Sequence, residues 1–91
     1  MPEGKLTTEQ IRQSLQGLAG WDLTGDAITK QYKFESFAEA MAFVNQASGL
    51  AEAADHHPDI DIRYNTVRLT LSTHSADGLT SKDFALARQI G

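Results

Sequence analysis

Three histidines in the second half of the chain are the residues whose types and spacing could carry out chemistry. His56 and His57 are adjacent and precede Pro58, and His74 follows later in the chain. An imidazole titrates near pH 6.5, so several together can provide one protonated ring and one neutral ring near neutral pH. The set therefore indicates paired general acid and general base catalysis.

Two carboxylates are expected near these histidines. Glu52 precedes His56 by four residues, a spacing that puts both side chains on one helical face about one turn apart. A carboxylate in that position can orient the imidazole and raise its basicity. Asp83 follows His74 by nine residues and falls in the first turn of the last predicted helix.

Each of these residues also has a purely structural interpretation. Glu52 and His56 could form an ordinary surface pair, and the two adjacent histidines could cap the C-terminal end of a helix, where positive charge is favourable. Asp83 could serve only the N-terminal cap of its own helix, and His74 could be an exposed residue at a strand end. Taken singly, these positions do not decide between the interpretations.

The sequence does not predict a metal site or a bound cofactor. Three histidines and a carboxylate could fill a zinc shell, but adjacent side chains at a helix end diverge by roughly 100°, so His56 and His57 do not readily bind one ion. The chain has no cysteine, which excludes disulfides, cysteine zinc sites and a cysteine nucleophile. It also lacks the glycine-rich phosphate loops and the serine nucleophile elbow.

Length and composition predict one folded domain over residues 1–91. The 91 residues are 41% hydrophobic and 22% charged, which argues against a second core and against disorder. The net charge is −4 and the basic residues are scattered, which argues against direct binding of nucleic acid or an anionic membrane. No apolar stretch reaches the ~20 residues of a membrane span and no signal segment is visible, so we expect a cytoplasmic protein.

The first half of the chain predicts a helix and a hairpin. Thr7 and Gln10 form a capping box before an apolar face of Ile11, Leu15 and Leu18. A short strand is expected at 21–23, a glycine turn at 24–26, and an alternating strand from 27 to 34.

The second half predicts a long helix, a second hairpin and a last helix. Ser36 and Glu39 form a second capping box, and the helix ends near Asp55 or His56 because Pro58 stops it. Strands are expected at 60–64 and 67–71, and a third capping box, Thr80 with Asp83, opens the last helix. The order α-β-β-α-β-β-α predicts an α+β fold, a four-stranded antiparallel sheet with three helices packed on one face.

The spacing of the candidate residues resembles the signature of the pterin-4a-carbinolamine dehydratase family. The matching positions are Glu52, His56-His57-Pro58, Tyr64, His74 and Asp83. The flanks are also similar: Trp21 before the first hairpin, Asp26-Ala27-Ile28 at the next strand, Leu71-Ser72-Thr73-His74, and Gly78-Leu79 before the last helix. The likeness covers about residues 6–90. The last helix, with about ten residues, is shorter than in many members of the family.

The resemblance implies an activity that needs no metal. Members of the family dehydrate 4a-hydroxytetrahydropterin, a by-product of aromatic amino-acid hydroxylases, to quinonoid dihydropterin and water, which supports tetrahydrobiopterin recycling. Carried onto this chain, His56 and His74 are the acid–base pair and His57 holds or orients the pterin. Glu52 would tune His56, and Asp83 would tune His74 or bind the polar edge of the substrate.

The resemblance also suggests substrate contacts and partners. Backbone groups at Ser72 and Thr73 would bind the pterin edge, and Trp21 would either close the pocket or simply pack in the core. We expect a homo-oligomer, a dimer or a dimer of dimers, because the alanine-rich stripe of the long helix lets a partner helix approach. A hydroxylase of the same pathway is a possible partner.

Two other functions stay open from the sequence. Relatives of this fold serve as protein-interaction modules, in transcription-factor dimerisation or enzyme assembly, and such a module needs no histidines. The second open function is that of a regulatory protein that binds pterin without turnover. The complete set of histidines and carboxylates favours the enzyme.

Overall fold

A four-stranded antiparallel sheet and three helices form the fold. The computed structural model describes residues 4–91, so residues 1–3 of the predicted domain lie outside the described residues. The elements, in chain order, are α1 (Thr8–Leu15), β1 (Asp22–Thr24), β2 (Ala27–Lys33), α2 (Phe37–Ala54), β3 (Asp59–Arg63), β4 (Thr66–Leu71) and α3 (Ser81–Ile90), with a short 3₁₀ turn at His74–Ala76. The predicted α-β-β-α-β-β-α order and the α+β class are confirmed.

The sheet has the strand order β1-β2-β4-β3, in which every neighbouring pair is antiparallel. The two hairpins are β1–β2 and β3–β4, as predicted, and β2 joins them by pairing with β4 from Ile28 opposite Leu71 to Lys33 opposite Thr66. β4 lies inside the sheet, between β2 and β3, and is the most buried strand. Its C-terminal end therefore gives a fixed point from which the following loop starts.

The hydrophobic core lies on one face of the sheet, under the helices. Ile28, Val67, Leu69 and Leu71 are fully buried there. The alternate residues point to the other face, where Arg68 donates a hydrogen bond to Gln31 across the strands. A period of two in burial is what a sheet covered on one face requires, so the prediction that three helices share one face is confirmed.

The helix caps follow the predicted residues with one exception. Thr7 with Gln10 and Thr80 with Asp83 form complete capping boxes. Ser36 accepts a hydrogen bond from the backbone N–H of Glu39, as predicted, but the Glu39 carboxylate accepts from the N–H of Glu35 and not from that of Ser36. Only half of this predicted box is present.

The small residues of α2 are used inside the chain. Ala40, Ala47 and Ala51 are almost fully buried in the core that α2 shares with the sheet and α3. The close approach that alanines permit therefore occurs within one protomer, and these positions do not support a partner helix. The expected homo-oligomer stays a prediction. In the part of the chain that the structure describes, no helix is long and apolar enough to cross a bilayer.

Tyr32 gives the fold a measurable dependence on pH. Its ring packs on Phe43 with centroids 4.4 Å apart, and its hydroxyl donates to the Gly91 oxygen at 3.1 Å. Burial raises the pKa of Tyr32 from 10.0 to about 12, because desolvation disfavours the phenolate.

We expect the free energy of unfolding to fall as the pH rises from about 10 to about 12. The folded-state pKa of Tyr32 lies above the unfolded value, so its contribution is present below pH 10 and is lost as the pH passes the folded value. Urea unfolding at several pH values, beside absorbance titration at 295 nm, measures this. In Tyr32→Phe this part of the pH dependence should disappear, and an unchanged pH dependence would contradict the assignment.

Candidate active site

The three histidines meet in one cleft of about 480 Å³. It lies between the C-terminal end of α2 and the loop from β4 to α3. Its lining comprises Asp55, His56, His57, Pro58, Asp59, Ser72, Thr73, His74, Ser75 and Lys82. This volume is within the range of small-molecule sites. The structure thus brings together residues that are far apart in the sequence.

His56 is anchored on a buried carboxylate. Its Nε2 lies 2.6 Å from Oδ1 of Asp83, and the His56 side chain is 11% exposed while that of Asp83 is fully buried. Asp83 also accepts the backbone N–H of Thr80 on Oδ2, at 2.9 Å, as part of the capping box. The carboxylate therefore caps α3 with one oxygen, as the capping interpretation predicted, and holds His56 with the other.

The end of α2 turns His56 toward Asp83. Asp55 has the left-handed conformation, with φ 51° and ψ 42°, and its N–H bonds to the Glu52 oxygen while the N–H of His56 bonds to the Ala51 oxygen. These two bonds define a Schellman motif, in which the chain leaves the helix axis. Aspartate tolerates the left-handed region better than most residues, and Pro58 then prevents any return to the helix.

The same turn changes the carboxylate partners that the sequence predicts. Glu52 bonds to Nε2 of His57 at 2.6 Å, and not to His56. The spacing of four residues assumes that the helix continues through His56, but α2 ends at Ala54, two residues earlier. The pair is exposed, with His57 at 55% and Glu52 at 77%. Asp83 pairs with His56 instead of His74, and because it is fully buried it offers no contact to a molecule in the cleft.

His74 lines the same cleft from a short turn. The strand β4 ends at Leu71, as predicted, so His74 lies beyond the strand. His74 instead begins the 3₁₀ turn, which ends in a left-handed Asp77. His74 is exposed and away from the core, as predicted. Within residues 4–91 its ring has no hydrogen-bond partner, so both nitrogens are open to solvent or to a bound molecule.

The predicted substrate contacts divide between two places. Ser72 and Thr73 line the histidine cleft, whereas Trp21 is 4% exposed and lines a separate cleft with Lys30 and Arg88. The indole ring is part of the core, which agrees with the packing interpretation. Its Nε1 is the one buried side-chain nitrogen or oxygen without a partner among the described residues.

Sequence reasoning missed two features of the site. The sequence indicated Asp55 only as the place where α2 ends, yet its left-handed backbone sets the direction of His56. The signal that could have shown this is a polar residue two positions before His57-Pro58. Thr73 was expected to contribute through its backbone, yet its hydroxyl donates to Asp83 at 2.8 Å.

Among residues 4–91, no three histidine, aspartate or glutamate side chains are grouped as metal ligands.

Comparison with known proteins agrees with the signature seen in the sequence. Residues 4–91 match the family model described as pterin 4 alpha carbinolamine dehydratase. A Thermomicrobium roseum protein named "Putative pterin-4-alpha-carbinolamine dehydratase" is 52% identical over 86 residues, which cover 94% of this chain and 92% of that protein. A Nocardia farcinica protein of the same name is 54% identical over 85 residues, which cover 93% and 90%.

Solved structures are similar over the same region. A Brucella melitensis protein described as a transcriptional coactivator/pterin dehydratase has a TM-score of 0.92 and 39% identity, with 96% of this chain and 95% of that chain covered. A pterin dehydratase-like protein described as a RuBisCO assembly factor in the alpha-carboxysome has a TM-score of 0.63 at 24% identity, with 77% and 81% covered. The second likeness concerns the fold alone.

The two His–carboxylate pairs should contribute very differently to stability. Asp83→Asn removes a buried charge that several donors surround, so we expect a loss of about 3–5 kcal/mol of unfolding free energy. Glu52→Gln alters an exposed pair, so the loss should stay below about 1 kcal/mol. Urea denaturation of both variants at pH 7 measures the difference. A loss below about 1 kcal/mol in Asp83→Asn as well would contradict a stabilising role of the buried pair.

Proposed function

Because the chain belongs to the pterin 4 alpha carbinolamine dehydratase family, a family of hydro-lyases, we propose that it dehydrates 4a-hydroxytetrahydropterin to quinonoid dihydropterin and water. The observation that supports this proposal most is the single cleft that His56, held on Asp83, and His74 both line. In the cell the reaction would return a tetrahydropterin cofactor to use after an aromatic amino-acid hydroxylase reaction.

The reaction requires one acid and one base on the substrate. The bond from C4a to the hydroxyl oxygen breaks, and the hydroxyl leaves as water after it takes a proton from the acid. The N5–H bond also breaks, its proton goes to the base, and its electron pair forms the C4a–N5 double bond. Two imidazoles in opposite protonation states can serve both steps near neutral pH.

His56 is suited to the role of the base. An imidazole whose Nε2–H donates to a carboxylate has its other nitrogen available to take a proton, and the carboxylate stabilises the imidazolium that results. Within residues 4–91 no hydrogen bond engages Nδ1 of His56, and this atom is not among the buried polar atoms without a partner. It is therefore open to the cleft.

His74 is suited to the role of the acid. It is exposed and has no carboxylate partner among the described residues, so it can exchange protons with water between turnovers. His57 lies on the same cleft and its ring is held by Glu52, which fits a role in orienting the pterin. Ser72 and Thr73 line the same cleft. Because the N–H and the carbonyl of Thr73 are already bonded to Gly78, a backbone contact to the polar edge of the substrate would come from Ser72.

The dehydration rate of enzymatically generated 4a-hydroxytetrahydropterin tests the proposal. Wild type should accelerate the reaction, and His56→Ala and His74→Ala should each lower kcat by about 10²–10⁴-fold, the usual range for general acid or base catalysis. His57→Ala should mainly raise KM, because it removes a binding contact. The circular dichroism of each variant should match that of wild type.

The contrary outcomes point to the other functions. If folded wild type does not accelerate dehydration and does not bind a stable dihydropterin, the protein-interaction function is favoured. If it binds the dihydropterin tightly without acceleration, a regulatory pterin-binding protein is favoured. A variant lacking His74 that keeps the full kcat would remove this residue from the mechanism.

A further inference from the structure

Thr73 connects the two sides of the histidine cleft. It is 4% exposed and directly precedes His74. Its N–H donates to the Gly78 oxygen at 2.8 Å, and the N–H of Gly78 donates back at 3.3 Å. This isolated antiparallel bridge closes the loop that contains the 3₁₀ turn. The backbone of Thr73 therefore holds the base of the loop that presents His74.

The hydroxyl of Thr73 contacts Asp83, the residue that anchors His56. Its Oγ1 lies 2.8 Å from Oδ2 of Asp83 and 2.8 Å from Oγ1 of Thr80. A hydroxyl has one proton and an ionised carboxylate only accepts. The proton of Thr73 therefore goes to Asp83, and the proton of Thr80 goes to Thr73.

The hydrogen-bond directions then follow along the whole network. The hydroxyl of Thr80 donates to Thr73, which donates to Asp83, and the backbone N–H of Thr80 donates to the same carboxylate oxygen. The backbone N–H of Thr80 can only donate, so Oδ2 of Asp83 acts as an acceptor whatever the threonine hydroxyls do. An ionised Asp83 requires Nε2 of His56 to carry a proton and donate it, which leaves Nδ1 for the cleft.

We propose that Thr73 is a positioning residue that sets both histidines at once. Its hydroxyl orients the carboxylate that fixes the ring of His56 with the proton on Nε2, and its backbone bridge fixes the loop that carries His74. This inference rests on the proposed function for its effect on catalysis. The assignment of the ring proton of His56 to Nε2 does not depend on any substrate.

Nitrogen-15 and proton NMR of the histidine rings, without substrate, is the first part of the test. At pH 8, where an ordinary imidazole is neutral, wild type should have the proton of His56 on Nε2, with a downfield resonance from the short bond to Asp83. A proton found on Nδ1 would overturn the proposal without any variant.

Two substitutions and a control complete the test. Thr73→Val keeps the shape of the side chain but loses the hydroxyl, so the Nε2–H resonance should move upfield and kcat should fall at least about tenfold, with KM changed by less than about threefold. Thr73→Ser retains the hydroxyl and should restore the resonance and most of kcat. Thr70→Val, a threonine of β4 outside the cleft, should change neither.

The outcomes separate the inference from the proposed function. Loss of kcat in Thr73→Val with an unmoved His56 resonance would overturn the positioning role, and so would equal losses in the Val and Ser variants. If wild type has no dehydratase activity but the resonance responds as described, the proposed function fails while the role of Thr73 in holding His56 stands. If Thr73→Val does not fold, the position of the His56 proton in wild type and the resonance and kcat of Thr73→Ser still decide whether Thr73 positions His56.

Discussion

The buried carboxylate of Asp83 is the constraint on which the arrangement of the cleft depends. Its two oxygens lie 2.6 Å from Nε2 of His56, 2.8 Å from the Thr73 hydroxyl and 2.9 Å from the N–H of Thr80. Burial of a carboxylate without such donors is strongly unfavourable. Three separate segments must therefore meet around it: the turn after α2, the end of β4 and the start of α3. The fold and the geometry of the cleft share this requirement.

The double use of Asp83 explains how a chain of 91 residues can hold a polar site without a large supporting structure. A helix start needs a side-chain acceptor in any case, and Asp83 satisfies this need with Oδ2. With Oδ2 held by this cap and by the Thr73 hydroxyl, the other oxygen has a fixed position. His56 uses it, so the orientation of the ring follows from a cap that α3 requires for its own stability. The exposed pair of Glu52 with His57 has no such support, since it lies at the surface.

Local patterns predicted most of the fold, whereas the partners within the site depended on contacts distant in sequence. Capping boxes and alternating apolar residues involve neighbours a few positions apart, so Thr7, Thr80 and the two hairpins were predicted correctly. The prediction that Glu52 pairs with His56 failed because it assumed helical geometry beyond Asp55, where a left-handed residue ends the helix. The contact of His56 with Asp83 spans 27 residues, and only the packing of α2 beside α3 brings the two together.

The three histidines have the same side chain but three different environments, and these differences support a division of tasks. His56 is almost buried and its ring is fixed by the carboxylate of Asp83. His74 is exposed and has no partner within residues 4–91, so solvent can restore its protonation state. His57 is held by an exposed surface carboxylate, which orients its ring. A proton acceptor, a proton donor and a binding group can thus come from one residue type, because burial and hydrogen-bond partners determine what each imidazole does.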